Sequence, residues 1–247
     1  MSVLRTEASP ARATTNSAVS AQLLRKVIDE RVILDNLTFA IPRGSYVALL
    51  GANGAGKSTL MRILSMLVPP SSGELSLFGE PLRAGGAAIR KRIGLISHQA
   101  MLYRDLSPRE NLCLFGKLYG VKNADQRALQ LLQLVNLEDR ADDPVKNFSR
   151  GMTQRIAIAR ALMHNPDLIL ADEPFAGLDA PSAHTVELLL AALHQAGRTI
   201  LLANHDIAQS LRLAQRILLL RKGALIMDSA AAGVDADSVL KEIAAGG

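Results

Sequence analysis

A glycine-rich segment, Gly51–Ser58, constrains the fold of this chain more than any other feature of its sequence. It reads Gly-Ala-Asn-Gly-Ala-Gly-Lys-Ser, follows the short apolar run Tyr46–Leu50 and precedes Thr59–Leu67, which has helical spacing. A strand that ends in such a loop and continues into a helix directs backbone N–H groups and the positive end of the helix toward one point. The segment therefore predicts a phosphate-binding loop in an α/β fold.

The residue types of this loop suit the binding of a nucleoside triphosphate. Its glycines let the backbone approach phosphate oxygens without a Cβ in the way. The ammonium of Lys57 is expected to bridge the β- and γ-phosphates, and the hydroxyl of Ser58 is expected to bind Mg²⁺. The predicted nucleotide contacts are Gly51, Asn53, Gly54, Ala55, Gly56, Lys57, Ser58 and Thr59.

Two acidic residues, Asp172 and Glu173, directly follow the apolar run Leu168–Ala171. In a parallel sheet, ligands bind outside the carboxyl ends of the strands, where these side chains would lie. We expect Asp172 to hold Mg²⁺, directly or through water. We expect Glu173 to position or deprotonate the water that attacks the γ-phosphate.

Short apolar runs alternate with helical segments along most of the chain. The alternation of Val32–Ile41 predicts half-buried antiparallel strands around a turn. The other runs are continuous, as in parallel strands that are buried on both faces; they are Ile93–Ser97, Leu168–Ala171, Thr199–Ala203, Arg216–Leu220 and Ala224–Met227. A mostly helical stretch begins at Ser107, with Glu110 three residues later. The predicted fold class is α/β, with a mainly parallel sheet, an antiparallel β subdomain and an α-helical subdomain inserted at about residues 100–164.

Composition limits the range of possible functions further. The chain carries a net charge of +5, which favours an anionic ligand or partner, but only 3% of its residues are aromatic, which argues against a base-stacking platform. Its single cysteine, Cys113, excludes an intrachain disulfide and a cysteine metal cluster. No apolar run approaches the roughly 20 residues of a membrane span. We expect a flexible tail at residues 1–22, one domain at 23–233 and a carboxyl-terminal extension at 234–247.

Four further segments identify a family. Phe148–Arg155 resembles the signature segment of ABC (ATP-binding cassette) ATPases. Gln99 resembles the glutamine-loop residue of that family, Ala176–Asp179 resembles the loop with the dimer-contact aspartate, and His205 resembles the switch histidine. With the phosphate loop and the acidic pair, six elements stand in the family's order over about residues 23–229. The resemblance implies a P-loop ATPase fold and an ATPase that uses ATP and Mg²⁺.

The resemblance also implies a composite site. In this family two cassettes pack head to tail around two ATP molecules, so that Ser149 and Gly151 of one chain would bind the γ-phosphate held by the other. Gln99 would contact Mg²⁺ or the attacking water, and His205 would stabilise the transition state. The implied catalytic residues are thus Lys57, Gln99, Glu173 and His205.

The chain departs from the family pattern in three places. Arg150 replaces a glycine of the signature and Met152 replaces a glutamine. The arginine would contact either nucleotide or solvent. Ile28 stands where the family stacks adenine on an aromatic ring, so we expect apolar packing there instead.

The family resemblance leaves three functions open. Leu102–Leu112 and Asp143–Met152 look similar to the haem-exporter ATPase of cytochrome c maturation and to ABC-2 type exporters. That likeness implies a peripheral subunit at the cytoplasmic face of the cell membrane. It would pair with itself or a sister cassette and grip multi-span permease subunits near Ala100–Tyr119. One alternative is a soluble ABC ATPase that acts on nucleic acid or ribosomes, which the basic charge permits. Another is a nucleotide-binding regulator without turnover, against which Glu173 and His205 argue.

Overall fold

The computed structural model describes residues 16–97 and 99–244, with the side chains of all of these but residues 83–85. Two β-sheets organise the chain. The antiparallel sheet contains β1 (Ser17–Ile28), β2 (Arg31–Pro42), β4 (Ser72–Leu77) and β5 (Glu80–Pro81). The larger sheet contains β3 (Tyr46–Leu50), β6 (Ile93–Ser97), β7 (Leu168–Asp172), β8 (Thr199–Ala203), β9 (Arg216–Arg221) and β10 (Ala224–Ala230). The helices are α1 (Lys57–Leu64), α2 (Leu82–Arg90), α3 (Pro108–Tyr119), α4 (Ala124–Leu134), α5 (Arg150–Leu162), α6 (Ala180–Gln195), α7 (Ile207–Leu213) and α8 (Ala236–Ala244), with 3₁₀ turns at Glu138–Arg140 and Val145–Asn147.

The larger sheet is mainly parallel. Its strand order is β10-β9-β3-β8-β7-β6, and β10 runs antiparallel to β9 at one edge. Ser97, Asp172 and Ala203 lie side by side in register at the carboxyl ends of β6, β7 and β8, and Leu49 of β3 lies opposite Ala203. The segments that follow these four strands therefore leave from one edge of the sheet.

Both faces of the larger sheet are buried, which explains why its strands are short apolar runs. In β3, the side chains of Tyr46, Ala48 and Leu50 join a core cluster with the helices α3 to α6. Val47 and Leu49 point to the opposite face and join a second cluster with α1 and the antiparallel sheet. The period of two along the strand thus divides one segment between two cores.

Helix α3 begins at the Ser107 cap that the sequence predicts. The hydroxyl of Ser107 accepts a hydrogen bond from the Glu110 N–H (3.2 Å), and the Glu110 carboxylate accepts one from the Ser107 N–H (2.8 Å). Pro108 occupies the first position of α3, where its missing N–H costs nothing. Hydrogen bonds from the Ser107 N–H and then from the Ser107 hydroxyl lower the pKa of the Glu110 carboxyl. Helices α3, α4 and α5 then pack on one another.

The amino-terminal boundary differs from the prediction. β1 begins at Ser17 and pairs with β2 on one side and β4 on the other, so residues 17–22 belong to the antiparallel sheet rather than to a flexible tail. This strand shows no alternation of apolar and polar residues, because Ser17 to Ala21 are all buried and because the register shifts between Ala21 and Leu24. Residues 1–15 of the predicted tail lie outside the described residues.

The carboxyl-terminal segment is helical over much of its length. α8 contacts α7 and buries Val239 completely. It therefore belongs to the helical face of the core rather than standing apart from it. Across residues 16–97 and 99–244, the chain forms no helix with the length and apolar character that crossing a membrane requires.

Candidate nucleotide-binding site

The phosphate loop joins β3 to α1, and its backbone adopts conformations that favour glycine. The φ angles of Gly51 and Gly56 are 147° and 105°. A methyl group on Gly51 would overlap the carbonyl oxygen of Leu220, and one on Gly56 would lie 2.6 Å from Leu34 Cδ2. The loop therefore passes so close to β9 and β2 that both positions require a residue without a side chain.

Lys57 is held beneath this loop. Its side chain is buried, with 6% of the residue exposed, and its ammonium donates to the carbonyl oxygens of Gly51 (2.7 Å) and Ala52 (3.0 Å). Burial lowers the pKa of Lys57, and the carboxylates of Glu173 and Asp172 oppose that shift. A phosphate in the loop would meet an ammonium that the backbone already holds in place.

The other loop residues leave room for a ligand. Asn53, Gly54 and Ser58 are exposed, Thr59 is half-buried and Ala55 is buried. The first backbone N–H groups of α1 follow directly, and such groups have no partner within their own helix. The exposed rim of the loop thus combines N–H donors, a hydroxyl and a helix amino terminus, a suitable surface for an anion.

The acidic pair lies beside the loop. Asp172 ends β7, and Glu173 follows in a turn with a φ of 49°. The Glu173 N–H donates to the Ala203 carbonyl oxygen of β8 (2.8 Å), which fixes this turn against the neighbouring strand. Both carboxylates are half-buried, and both act on the charge of Lys57. The acidic pair and the phosphate loop therefore share one electrostatic environment.

The oxygen donors at this edge suit Mg²⁺. Ser58 offers a hydroxyl and Asp172 a carboxylate, the kind of ligand that Mg²⁺ prefers. Within the described part of the chain, no group of three or more His, Cys, Asp or Glu side chains could hold a metal alone. That arrangement fits a Mg²⁺ bound by one or two protein oxygens together with substrate phosphates.

Gln99 and His205 follow neighbouring strands of the same edge. Gln99 lies two residues beyond Ser97, whose hydroxyl donates to the Gln99 carbonyl oxygen (2.7 Å). His205 lies two residues beyond the end of β8, and its N–H donates to Asn204 Oδ1 (2.9 Å). Both side chains are exposed. The structure thus gathers Gln99, His205, the acidic pair and the phosphate loop at the carboxyl end of one sheet.

Comparison with known families identifies the family to which this chain belongs. A family model described as "ABC transporter" matches residues 34–176, a stretch that includes the phosphate loop, the acidic pair and the signature segment. The chain belongs to the ABC transporter family. It is an ATPase of the ATP-binding cassette type. The resemblance and the α/β fold class predicted from the sequence are both confirmed.

Relatives of the cassette have names connected with export and resistance. Nod factor export ATP-binding protein I of Cupriavidus metallidurans is 39% identical over 207 residues, which are 83% of this chain and 68% of the relative. The protein of the same name from Sinorhizobium fredii is 36% identical over 219 residues, which are 88% of this chain and 64% of that one. Linearmycin resistance ATP-binding protein LnrL of Bacillus subtilis is 34% identical over 210 residues, which are 84% and 68% of the two chains. The chain thus spans about two thirds of the length of these relatives.

Solved ABC structures have the same architecture. One is a dimeric ATP-binding cassette in a post-hydrolysis state bound to ADP and Pi, with a TM-score of 0.78 and 29% identity over 87% of this chain and 100% of the other. Another is the ATP-binding subunit of an ABC transporter, with a TM-score of 0.83 and 29% identity over 92% and 100% of the two chains. Each similarity extends over most of this chain.

The ABC signature segment lies on an element other than those that carry the phosphate loop. Ser149 caps α5, and its hydroxyl accepts a hydrogen bond from the Met152 N–H (3.2 Å). Gly151 lies in the first turn, where a methyl group would lie 2.7 Å from Ser182 Cβ of α6. Ser149 is exposed. The amino terminus of α5 therefore faces solvent and packs closely on α6.

Arg150, which departs from the ABC signature, packs over the loop that precedes α6. A methyl group on Gly177 would lie only 2.5 Å from Arg150 Cζ. Asp179 ends that loop and caps α6, because its carboxylate accepts a hydrogen bond from the Ser182 N–H (2.9 Å). Hydrogen bonding with the Ser182 hydroxyl, and then with the Ser182 N–H, lowers the pKa of Asp179. Arg150 is thus exposed to solvent, and its guanidinium also covers Gly177. The sequence gives no signal for this contact with Gly177.

The predicted adenine contact, Ile28, lies at the tip of the antiparallel sheet. It is 44% exposed and ends β1, and the turn to β2 passes through Asp29 and Glu30 with positive φ angles. β2 carries Leu34, which packs on the phosphate loop at Gly56. Ile28 therefore lies on a hairpin that touches the loop, and its contact with adenine stays a prediction.

Sequence reasoning missed the side chains that support the site. Leu34 limits the space at Gly56, and the buried amide of Asn204 holds the backbone of His205. An apolar residue of an alternating strand has no pattern that marks it as part of a site, so Leu34 could not have been found. Asn204 could have been, because a polar residue directly before His205 at a strand end invites a structural explanation.

Proposed function

We propose that this chain is the ATP-hydrolysing subunit of an ABC exporter, which dimerises around two ATP molecules and powers separate membrane subunits. One observation carries the proposal. The phosphate loop, the acidic pair, Gln99 and His205 follow strands that end at one sheet edge, whereas the exposed Ser149 and, two residues later, the buried Gly151 lie at the amino terminus of α5. Two chains packed head to tail would bring these halves together at each ATP.

Each half of the composite site has a chemical task. Lys57 and the loop N–H groups would hold the β- and γ-phosphates, while Ser58 and Asp172 would hold Mg²⁺, which when bound neutralises phosphate charge. Glu173 would orient the attacking water and accept its proton as the bond to ADP breaks. His205 and Gln99 would contact the γ-phosphate region from the same chain. The Ser149 hydroxyl and Gly151 N–H of the second chain would donate to the γ-phosphate.

A rigid apolar loop supports contact with a membrane subunit. Met101 and Tyr103 are exposed, with Tyr103 58% accessible. The fully buried amide of Asn111 accepts from the Tyr103 N–H (2.8 Å) and donates to the Tyr103 carbonyl oxygen (2.9 Å). This clamp presents two large apolar side chains on a fixed backbone beside Gln99, which suits docking of a permease segment. Such docking would place the subunit peripherally at the cytoplasmic face of the membrane.

The relatives favour export over the alternative functions. Two are named for Nod factor export and one for linearmycin resistance, and this supports an exporter rather than an ATPase that acts on nucleic acid or ribosomes. The haem-exporter role in cytochrome c maturation stays a prediction from the sequence. Cargo would be recognised by the membrane subunits rather than by this chain.

The substitution Glu173→Gln tests the catalytic part of the proposal. The variant should bind ATP normally, hydrolyse it at least about a hundredfold more slowly and accumulate as an ATP-bound dimer. Turnover and light scattering after size exclusion would report both effects. Glu138→Gln, which neutralises an exposed carboxylate on the helical subdomain, serves as a matched control and should behave like wild type. Wild-type turnover in Glu173→Gln would contradict the assigned role.

Affinity purification tests the membrane part. A tagged Glu173→Gln chain would be purified with ATP from detergent-solubilised membranes, and its companions would be identified by mass spectrometry. Stoichiometric recovery of multi-span proteins is expected. Recovery of ribosomes or nucleic acid without such proteins would favour the soluble alternative and leave the ATPase chemistry intact.

A further inference from the structure

A hydrogen-bonded series of polar side chains runs from the backbone of His205 to helix α6. The His205 N–H donates to Asn204 Oδ1 (2.9 Å), Asn204 Nδ2 donates to Gln209 Oε1 (2.8 Å), and Gln209 Nε2 donates to Glu187 Oε1 (2.5 Å). Asn204 and Gln209 are buried, at 2% and 8% exposed, and Glu187 is half-buried. These three side chains belong to none of the six motifs that identified the family.

The carboxylate at the far end and the N–H groups of His205 and Asp206 at the near end set the direction of the bonds in this series. An ionised carboxylate only accepts hydrogen bonds, so the amide nitrogen of Gln209 faces Glu187 and its oxygen faces Asn204. The nitrogen of Asn204 must then face Gln209, and its oxygen faces the His205 N–H. Without an oxygen acceptor at residue 187, the amide of Gln209 could reverse and present its N–H₂ group to the N–H₂ group of Asn204, which is a repulsive contact.

Both ends of this hydrogen-bonded series are anchored. Around Glu187, Arg212 Nη2 lies 3.6 Å from Oε1, and His184 Nδ1 lies 3.8 Å from Oε2. The Gln209 N–H donates to the carboxylate of Asp206 (2.9 Å), which caps α7. The amides therefore sit between a fixed carboxylate and a fixed helix end, and buried networks of this kind gain rigidity when every member is satisfied.

We infer that Glu187, Gln209 and Asn204 form a positioning relay that sets the backbone at His205 for ATP hydrolysis. The inference rests on the proposed contact of His205 with the γ-phosphate. The three residues act through His205 and touch no nucleotide, so the relay should govern the rate of turnover and leave ATP binding unchanged. Its far end lies on α6, the helix capped by Asp179, so the relay joins the His205 loop to the helix that directly follows the predicted dimer-contact loop Ala176–Asp179.

A matched pair at Glu187 tests the relay. Glu187→Gln keeps an oxygen that can accept the bond from Gln209, whereas Glu187→Ala removes the acceptor. Loss of one buried hydrogen bond of this kind should lower kcat about tenfold in Glu187→Ala and leave it within about twofold of wild type in Glu187→Gln. The Kd for ATP should stay within about twofold in both. The amide ¹H–¹⁵N signal of His205 should shift in Glu187→Ala and stay near its wild-type position in Glu187→Gln.

Three further variants separate the relay from general damage to the fold. Ser210→Ala removes a buried hydroxyl of the same helix, which donates to the Asp206 carbonyl oxygen (2.6 Å), and it should keep the wild-type kcat. Gln209→Met breaks the relay in its middle at nearly constant volume and should behave like Glu187→Ala. In a His205→Ala background, Gln209→Met should cause no further loss in single-turnover hydrolysis, because the residue that it positions is already gone.

The outcomes are distinguishable. Lost turnover in His205→Ala together with wild-type turnover in Glu187→Ala and Gln209→Met would overturn the relay and leave the proposed function standing. Equal losses from Gln209→Met with and without His205 would also overturn it, since the effect would then be structural. Full turnover in His205→Ala would overturn the proposed role of His205 and the relay with it.

Discussion

The conformation of the phosphate loop makes Gly56→Ala an informative perturbation. Gly56 precedes α1 with a φ of 105°, and a methyl group there would lie 2.6 Å from Leu34 Cδ2 and 3.0 Å from the Ile33 carbonyl oxygen. Leu34 is fully buried in the core beneath the antiparallel sheet, so it has little freedom to retreat. Gly54 offers a control within the same loop: its φ is 80°, but a methyl group there would meet nothing within 4 Å.

The two substitutions share one cost and differ in another. Both force alanine into a left-handed conformation, at about 1–2 kcal/mol. Carbon atoms in contact prefer about 3.5–4.0 Å, so the new methyl group at Gly56 and Leu34 Cδ2 must separate by roughly 1 Å. Overpacking of this kind costs about 1–3 kcal/mol beyond the backbone strain. If the loop yields rather than the core, that energy appears as weaker ATP binding in Gly56→Ala than in Gly54→Ala, by about fivefold to a hundredfold.

Titration with a fluorescent ATP analogue would measure both dissociation constants, and thermal unfolding would show that both variants are folded. The same Kd in Gly56→Ala and Gly54→Ala, with or without a loss of thermal stability, would refute the reasoning. It would mean that the core around Leu34 absorbs the methyl group and that the tight contact does not shape the loop.

Three other substitutions and conditions test separate parts of the structure. Asn111→Ala should lower the free energy of unfolding by about 2–4 kcal/mol, measured by urea titration, because the partly buried backbone groups of Tyr103 and the buried carbonyl of Ser107 lose their amide partner. An unchanged midpoint and slope would contradict the clamp. Ser149→Arg should leave ATP binding by one chain intact but abolish ATP-driven dimerisation and turnover, and full hydrolysis in this variant would argue against a composite site. Burial, reinforced by the charge of Asp125, raises the pKa of the Cys113 thiol. Alkylation of Cys113 at pH 8 should therefore be slower in the folded than in the unfolded chain, and it should accelerate as the pH rises toward the shifted pKa. Equal rates in the folded and unfolded chain would refute this.

The strands that lie between two cores were predictable from the sequence. Residues such as Val47 and Ala48 point to opposite clusters, and the resulting continuous apolar runs are typical of strands that are buried on both faces. β1 was not predictable in this way, because its pairing shifts register near Leu23, which has a φ of 47°. α2 was missed for a different reason: Gly86 interrupts it with a φ of 34°, and glycine opposes helix formation.

The sequence offers more signals for the candidate site residues than for their surroundings. A phosphate loop needs particular residue types at particular spacings, so the positions of Lys57 and Ser58 follow from chemistry alone. The packing of Arg150 over Gly177 and the orientation of Asn204 depend on elements that are distant in sequence and meet only in the folded chain. Such contacts carry no local pattern, and a single sequence holds no information from which to read them.

The close approach of α5 and α6 has a practical consequence. Gly151 lies against Ser182, and Arg150 covers Gly177, so the end of α5 and the loop before α6 form one continuous, solvent-facing surface that includes Ser149. A nanobody bound to this surface would cover elements other than those that carry the phosphate loop of the same chain. In the proposed head-to-tail dimer it would keep the second cassette away while ATP still bound, and it would therefore inhibit without competing with nucleotide. Millimolar ATP, which defeats most nucleotide mimics, would give no protection against such a binder.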